Sequence, residues 1–354
     1  TKSAAFGGLG AAILVGALLR VGAALSGFGF FAADDIKYAI EPAWTWLESP
    51  ETPYPSPIRL PVLSTCLWLI FIAGRALGLE SGVALLRFAY LALGLYSVIA
   101  IPATYALVQR SGPDRERAAL VAAWLVAVSA IMPRISTRAL ISVAAIPPLT
   151  VGLAFAGGRR FSEGTLAAVF LGLACVFRFQ LGLVYVGVLI ALALRKEHRC
   201  LHGLLVGGAV FFAVLAAATP GVLHTLQRYI AFNADQSSSF GTAPWYTFLL
   251  FFLVLTAPPA TYWLGRALWR AAGNAPLVAI PFGLFVLVHS AIPHKEERFM
   301  FSVLPLFFAL LAPALLEAPK NIRLGYWLLN LLILVPVTLS DGNQAVAVPL
   351  AEVG

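Results

Sequence analysis

Apolar runs of bilayer length recur from one end of this chain to the other, and no other feature constrains its fold so tightly. Candidate spans lie at 6–27, 58–79, 83–108, 118–132, 143–157, 200–219, 246–264, 276–292, 299–316 and 323–339. A helix needs about 20 residues to cross a hydrocarbon core of about 30 Å. Of the 354 residues, 60% are hydrophobic and only 11% charged, with a mean hydropathy of +0.88. A soluble domain carries roughly 45–50% apolar and about 25% charged residues. A water-soluble enzyme, a disordered chain and a disulfide-stapled secreted module are thereby excluded. The pattern predicts an all-α polytopic membrane protein, one integral unit over 1–354 with roughly 10–13 transmembrane helices.

The net charge of +8 does not point to nucleic acid, because the basic residues are dotted between apolar runs: Arg115 and Arg117, Arg159 and Arg160, Arg195 with Lys196 and Arg199, Arg266 and Arg270, Lys320 and Arg323. That is the pattern of cytoplasmic loops under the positive-inside rule. Cys66, Cys175 and Cys200 lack metal-site spacing and read as small core residues. The first run is too long and Gly-rich for a signal peptide and reads as a retained helix. In 164–194, Arg178 interrupts the apolar pattern, which predicts a break or two shorter helices. If the N-terminus is cytoplasmic, simple alternation through 58–79 and 83–108 leaves Arg110 to Arg117 outside, against the rule. Either 83–108 or 164–194 is therefore expected to be re-entrant, broken or miscounted.

Three polar stretches remain, expected as external segments: 28–57, 221–246 and 293–299. The first holds Asp34-Asp35, two of only five aspartates in the chain. They read either as solvated loop charges or as carboxylates partly desolvated at the bilayer boundary, where a carboxylate is a stronger base than in water; paired acids can also hold Mg²⁺ or Mn²⁺. Glu41, Trp44 and Trp46 follow, and Trp245 and Tyr246 close the second stretch. Such aromatic residues suit an interfacial belt and equally a sugar-stacking surface. The third stretch packs His294, Lys295, Glu296, Glu297 and Arg298 between Pro293 and Phe299. Five ionisable groups of mixed sign suggest an internally paired site with cations left to face an anion, most simply a phosphate.

His-Lys-Glu-Glu-Arg-Phe at 294–299 resembles the signature of the lumenal mannosyltransferases that use dolichyl-phosphate mannose. These are the GPI and N-glycan enzymes of glycosyltransferase family twenty-two, with the GT-C fold. Asp34-Asp35 followed by Glu41-Pro42 is similar to that family's Asp-Glu pair and Glu-Pro in the first external loop. Trp44-Thr45-Trp46 and Arg59 resemble its Thr-Trp-Glu-Trp and Ile-Arg-Ser elements. Residues 239–246, SFGTAPWY, resemble its Tyr-Gly-Thr-His-Pro-Trp segment, and Thr137-Arg138 and Arg178-Phe179 resemble further polar marks. Asp35 departs from the usual Glu, and Ala243 from the His of the GPI branch. The chain is also shorter than typical eukaryotic members, which leaves the acceptor open.

The resemblance implies a GT-C-like bundle whose acidic first external loop carries short surface helices. It also implies inverting transfer of a sugar, mannose by the family's habit, from a polyprenyl- or dolichyl-phosphate carrier to a lipid-linked glycan or glycolipid. Lys295 and Arg298 are then expected at the donor phosphate, with His294 and Arg59 assisting and Glu296, Glu297 and Phe299 supporting them. Asp34 is the expected base, with Asp35 second, and Glu41, Trp44, Trp46, Trp245 and Tyr246 are expected at the acceptor or sugar. No cofactor beyond the lipid-phosphate sugar, and no metal, is expected, because a phosphate leaving group needs cations that the motif supplies. The rival reading is a transporter or flippase of lipid-linked sugars, which calls for paired repeats and mid-membrane ionisable groups; Arg178 is the one candidate. The Arg- and Ala-rich composition suggests a GC-rich genome and favours a prokaryotic plasma membrane over the endoplasmic reticulum.

Overall fold

The computed structural model describes residues 2–26, 29–112, 115–236, 238–239, 241–256 and 261–340. Phe28 and Phe240, which belong to the first two polar stretches, and the tail 341–354 lie outside the described residues. Among the described residues every regular element is helical. In chain order they are α1 (Lys2–Ser26), α2 (Ala33–Asp35), a turn of π-helix (Ile36–Ile40), α3 (Glu41–Glu48), α4 (Val62–Ala76), α5 (Gly82–Ser97), α6 (Ala100–Arg110) and α7 (Glu116–Val128). Then come α8 (Met132–Ser136), α9 (Ile141–Ala144), α10 (Ile146–Ala156), α11 (Phe161–Phe177), α12 (Gly182–Leu194), α13 (His198–Ala218) and α14 (Val222–Gln236). The last five are α15 (Thr247–Thr256), α16 (Thr261–Asn274), α17 (Pro276–Ala291), α18 (Leu304–Glu317) and α19 (Lys320–Leu339). Proline sits in the first turn of α3, α10, α17 and α18, where its missing N–H breaks no intrahelical bond.

Four helical segments are long and apolar enough to cross a membrane, and seven shorter apolar helices accompany them among the described residues. This agrees with the expected all-α polytopic class. The break expected at Arg178 is present: α11 ends at Phe177, Arg178 is extended, and one 3₁₀ turn leads into α12. Two expectations need correction. The run 246–264 is not one span but α15 and α16, separated by residues outside the description. The polar stretch 221–246 is largely the amphipathic helix α14 rather than a loop.

Side-chain contacts fix the direction of the helices and resolve the conflict in topology. Tyr90 Oη donates to Gly29 O at 2.8 Å, while Arg20 Nε donates to Ser97 Oγ at 2.7 Å. Helix α5 therefore runs antiparallel to α1, and α5–α6 returns the chain to the end where α1 starts. Helix α4 begins beside Tyr38, whose carbonyl accepts from Ser64 Oγ at 2.9 Å, and Gly74 near its far end packs on Leu85 and Phe88 of α5. It thus starts and finishes on the side to which α1 delivers the chain. The run 58–79 therefore does not carry the chain across, and of the two runs in doubt 164–194 is the broken one, counting as α11 and α12. At one end of the bundle lie Arg110–Glu163 (3.3 Å), Arg159–Glu197 (3.4 Å) and Arg270–Glu317 (2.6 Å), with Arg115 Nη2 donating to Asn274 O at 3.3 Å. This is the basic end. The three polar stretches meet at the opposite one.

The core runs through α7, which packs on α1, α6 and α18, and through α10, α11 and α13. A smaller cluster holds α3, α4 and α5 together beneath the first polar stretch. Arg20 is fully buried within α1, and Gly16 O, Val126 O, Ala127 O and Ser97 Oγ all accept from it. Shared among these acceptors, its charge ties α1 to α5 and α7.

Candidate active site

A cavity of about 390 Å³ opens where the three polar stretches converge. Its floor and walls come from six parts of the chain: the α2 segment, the approach to α4, residues 140–142 at the start of α9, the α11–α12 break, α14 and residues 289–299. Asp34 is its centre. One carboxylate oxygen, Oδ2, accepts from Arg59 Nη2 at 2.9 Å and faces Arg298 Nη2 at 3.2 Å. Arg59 also lies over the Tyr38 ring, 4.2 Å from its centroid, a cation–π contact that fixes the guanidinium plane. Arg298 Nε donates to Glu296, whose other oxygen pairs with His294 Nε2 at 2.8 Å. Gly241 O lies 3.3 Å from His294 Nδ1. The relay from Gly241 through His294, Glu296 and Arg298 ends on Asp34.

The adjacent acids have opposite environments. Burial pushes the Asp34 carboxyl upward, but the charges and hydrogen bonds of Arg59 and Arg298 outweigh that and hold it below the usual carboxylate range. The expectation of a base strengthened by desolvation is therefore corrected for Asp34: two guanidiniums stabilise its anion. Asp35 is buried, only 4% exposed. Its Oδ2 accepts from the backbone N–H groups of Phe31 and Ala32, both at 3.0 Å, which pins the start of α2. Burial raises its pKa to about 7 in spite of those bonds.

Arg178 is the cation that motif reading undercounted. The break in the helix leaves its side chain in the cavity beside Gln180, to which it donates, with its guanidinium 5.3 Å from the Phe299 ring centroid. Tyr229, Asn233 and Gln236 of α14 and His289 of α17 also line the cavity. None of these was legible as a site residue, because their elements are separated by dozens of residues or more in sequence.

Other expected residues fall elsewhere. Lys295 does not line the cavity; its Nζ donates to Ile292 O at 2.6 Å and Ala243 O at 3.1 Å, which clamps the 241–244 segment onto the end of α17. Glu297 is exposed, so Glu296 alone of the two glutamates is bonded to Arg298. Trp44 packs edge-on against Phe71 in the cluster under the loop, and Trp46 Nε1 donates to Thr52 O at 2.8 Å. Glu41, Trp245 and Tyr246 are exposed, and none of the five aromatic or acidic residues expected at the sugar lines the cavity.

Residues 56–341 match the model of the Alg9-like mannosyltransferase family. The chain belongs to that family. An alignment of 116 residues is 33% identical to GPI mannosyltransferase 3 of Yarrowia lipolytica, covering 32% of this chain and 22% of that protein. The fold resembles that of ArnT from Cupriavidus metallidurans bound to undecaprenyl phosphate, with a TM-score of 0.64, 15% identity and coverage of 89% of this chain and 61% of that one. It also resembles the archaeal oligosaccharyltransferase AglB from Archaeoglobus fulgidus in complex with an inhibitory peptide and a dolichol-phosphate (TM-score 0.54, 13% identity, 96% and 55% covered). This Alg9-like chain thus spans little more than half the length of the solved structures that it matches. At such identities the likeness is one of fold, and the fold is GT-C-like.

Proposed function

We propose that this chain transfers a sugar, mannose, from a polyprenyl-phosphate carrier to a hydroxyl of a lipid-linked glycan or glycolipid, with inversion at the anomeric carbon. The observation that carries the reading is the meeting of Asp34, Arg59 and Arg298 from three distant segments in one cavity, with Arg178 facing them. Membership of the Alg9-like family supports the sugar. The undecaprenyl phosphate named for the ArnT structure supports the carrier class.

Each group has a task in this chemistry. The acceptor oxygen attacks the anomeric carbon as the bond from that carbon to the phosphate oxygen breaks. The bond pair leaves on the phosphate, and the acceptor proton passes to the Asp34 carboxylate. Developing charge on the phosphate requires cations placed in advance; Arg59, Arg178 and Arg298 supply them, with His294 and Glu296 orienting Arg298. Lys295 acts indirectly, by holding the 241–244 segment. A phosphate drawn to Arg59 and Arg298 competes with Asp34 for the same N–H groups, which weakens their grip on the carboxylate and raises its basicity at the moment when it is needed.

The basic end carries the arginine-rich loops and faces the cytoplasm under the positive-inside rule, so the cavity opens on the external face of a prokaryotic plasma membrane. The test is an assay of synthetic polyprenyl-phosphate mannose with a panel of lipid-linked acceptors. Release of polyprenyl phosphate that depends on an acceptor is the expected result. Movement of the intact lipid-linked sugar across a vesicle bilayer, without bond cleavage, would overturn the reading.

A further inference from the structure

Helix α14 presents three different surfaces around its circumference. At about 100° per residue, Tyr229, Asn233 and Gln236 fall on one side, and all three line the cavity. His224, Arg228 and Asp235 fall on a second side and are exposed. Leu223, Ile230 and Ala234 fall on the third and are exposed as well; Leu223 is 64% and Ile230 60% exposed. A surface helix between protein and water needs one packed face and one polar face. The cavity side and the charged side fill those roles, and the apolar flank is left over.

The path of the chain places that flank. Helix α13 begins beside the Arg159–Glu197 pair at the basic end. Its 21 residues rise about 30 Å, the thickness of a hydrocarbon core, and deliver the chain to the cavity end. Val206, Val210 and Val214 recur every four residues along one side of α13 and are all exposed, so that side meets lipid. The helix ends at Ala218, and α14 starts at Val222. Gly221, with a φ of +86°, makes the turn between them in a conformation that costs glycine little. Helix α14 therefore starts at the depth where the hydrocarbon stops.

A helix at that depth, apolar on one flank and charged on another, matches one that lies in the plane of the interface. Its apolar flank then sinks about 5–10 Å into the boundary between headgroups and acyl chains, while the charged flank stays in water. The apolar flank is continuous with the lipid-facing side of α13 through a three-residue turn, 219–221. Lipid is thus the occupant that the chain path selects.

We propose that α14 docks on the lipid surface at the cavity end through Leu223, Ile230 and Ala234. The bilayer itself then holds in place the wall that carries Tyr229, Asn233 and Gln236. The inference stands apart from the transfer reading, since it concerns where α14 sits and not what the cavity does.

Nitroxide labels on Leu223→Cys, Ile230→Cys and Arg228→Cys test it, in the full chain reconstituted into phosphatidylcholine–phosphatidylglycerol vesicles. The labelled wild type supplies the background from the native cysteines. At positions 223 and 230, collision with oxygen is expected to exceed collision with a water-soluble nickel chelate severalfold, and at 228 the order is expected to reverse. Nickel collisions as frequent at 223 and 230 as at 228 would put the flank in water and overturn the proposal. Collision with neither reagent would mean that a protein surface covers the flank, and would overturn it equally. Leu223→Ser combined with Ile230→Ser changes only exposed side chains, so folding is not at stake. Its α14 amides are expected to exchange with solvent about tenfold faster in vesicles than those of the wild type. Wild-type exchange in that variant would contradict the hold of the bilayer on the wall.

Discussion

Asp34 and Asp35 are adjacent in sequence yet carry opposite electrostatic loads, and this separates their roles. Arg59 and Arg298 hold Asp34 ionised below the usual range in the free protein, so the acid limb of kcat/KM is expected below about pH 4, the ordinary aspartate value. A limb near pH 7 would instead make Asp35 the base. For Asp35 the effect is on stability. Its folded pKa of about 7 lies above the value near 3.9 in the unfolded chain, so between those values the folded state keeps a proton that the unfolded state has lost. Stability therefore falls as pH rises through that window and levels off above it. In Asp35→Asn the side-chain carbonyl still accepts from Phe31 and Ala32 with no charge to desolvate, and the decline in apparent Tm between pH 5 and 7 is expected to vanish. Among the cations, Arg178→Ala is expected to raise the apparent KM for the donor about tenfold, the loss of one hydrogen bond to a charged group. Lys295→Met is expected to lower the apparent Tm more than it changes that KM. The reverse ranking, from the same titrations, would return Lys295 to the phosphate.

At the scale of elements, the apolar runs were legible because bilayer-length hydrophobicity is a property of composition. What each helix does with its length was not. Helix α4 is as apolar as a span, and its contacts with Tyr38 and with α5, which no local pattern encodes, keep it on one side of the molecule. Trp44 and Trp46 suit an interfacial belt or a sugar-stacking surface equally in sequence, because an exposed and a half-buried tryptophan look alike there; in the structure Trp44 packs on Phe71 and Trp46 bonds to Thr52 O. The α11–α13 pair shows what sequence can specify. Added side-chain carbon at Gly164 would run into Cys200 O, and at Gly203 into Phe161 O, so the two helices touch backbone to backbone, as small residues permit in membrane interiors. Gly164→Leu and Gly203→Val are each expected to cost about 1–3 kcal/mol through overpacking. Thermal melts in detergent would register this, and wild-type melts in both variants would contradict the close approach.

Over the whole molecule, charge scarcity separates two populations. The basic end gathers Arg110, Arg115, Arg159 and Arg270 with their glutamate and carbonyl partners, and those residues record orientation. The motif at 294–299 was visible as chemistry because mixed charges between apolar runs are rare. Arg20, Arg134 and Arg138 form a third set of buried arginines, of which Arg20 is spent on three carbonyls and the Ser97 hydroxyl and only Arg138 lay in a stretch that the sequence singled out. Orientation is checked by cysteine accessibility in intact cells. Ser239→Cys is expected to react with a membrane-impermeant maleimide from outside, and Arg159→Cys only after permeabilisation. The opposite pattern would invert the molecule and put the cavity in the cytoplasm.

The central claim is that Asp34, set between Arg59 and Arg298, takes the acceptor proton. Asp34→Asn keeps a similar shape and removes the base, so acceptor-dependent release of polyprenyl phosphate from polyprenyl-phosphate mannose is expected to fall by about 10²–10⁴, with the melting behaviour of a folded protein retained. Turnover by Asp34→Asn within severalfold of the wild type would contradict it.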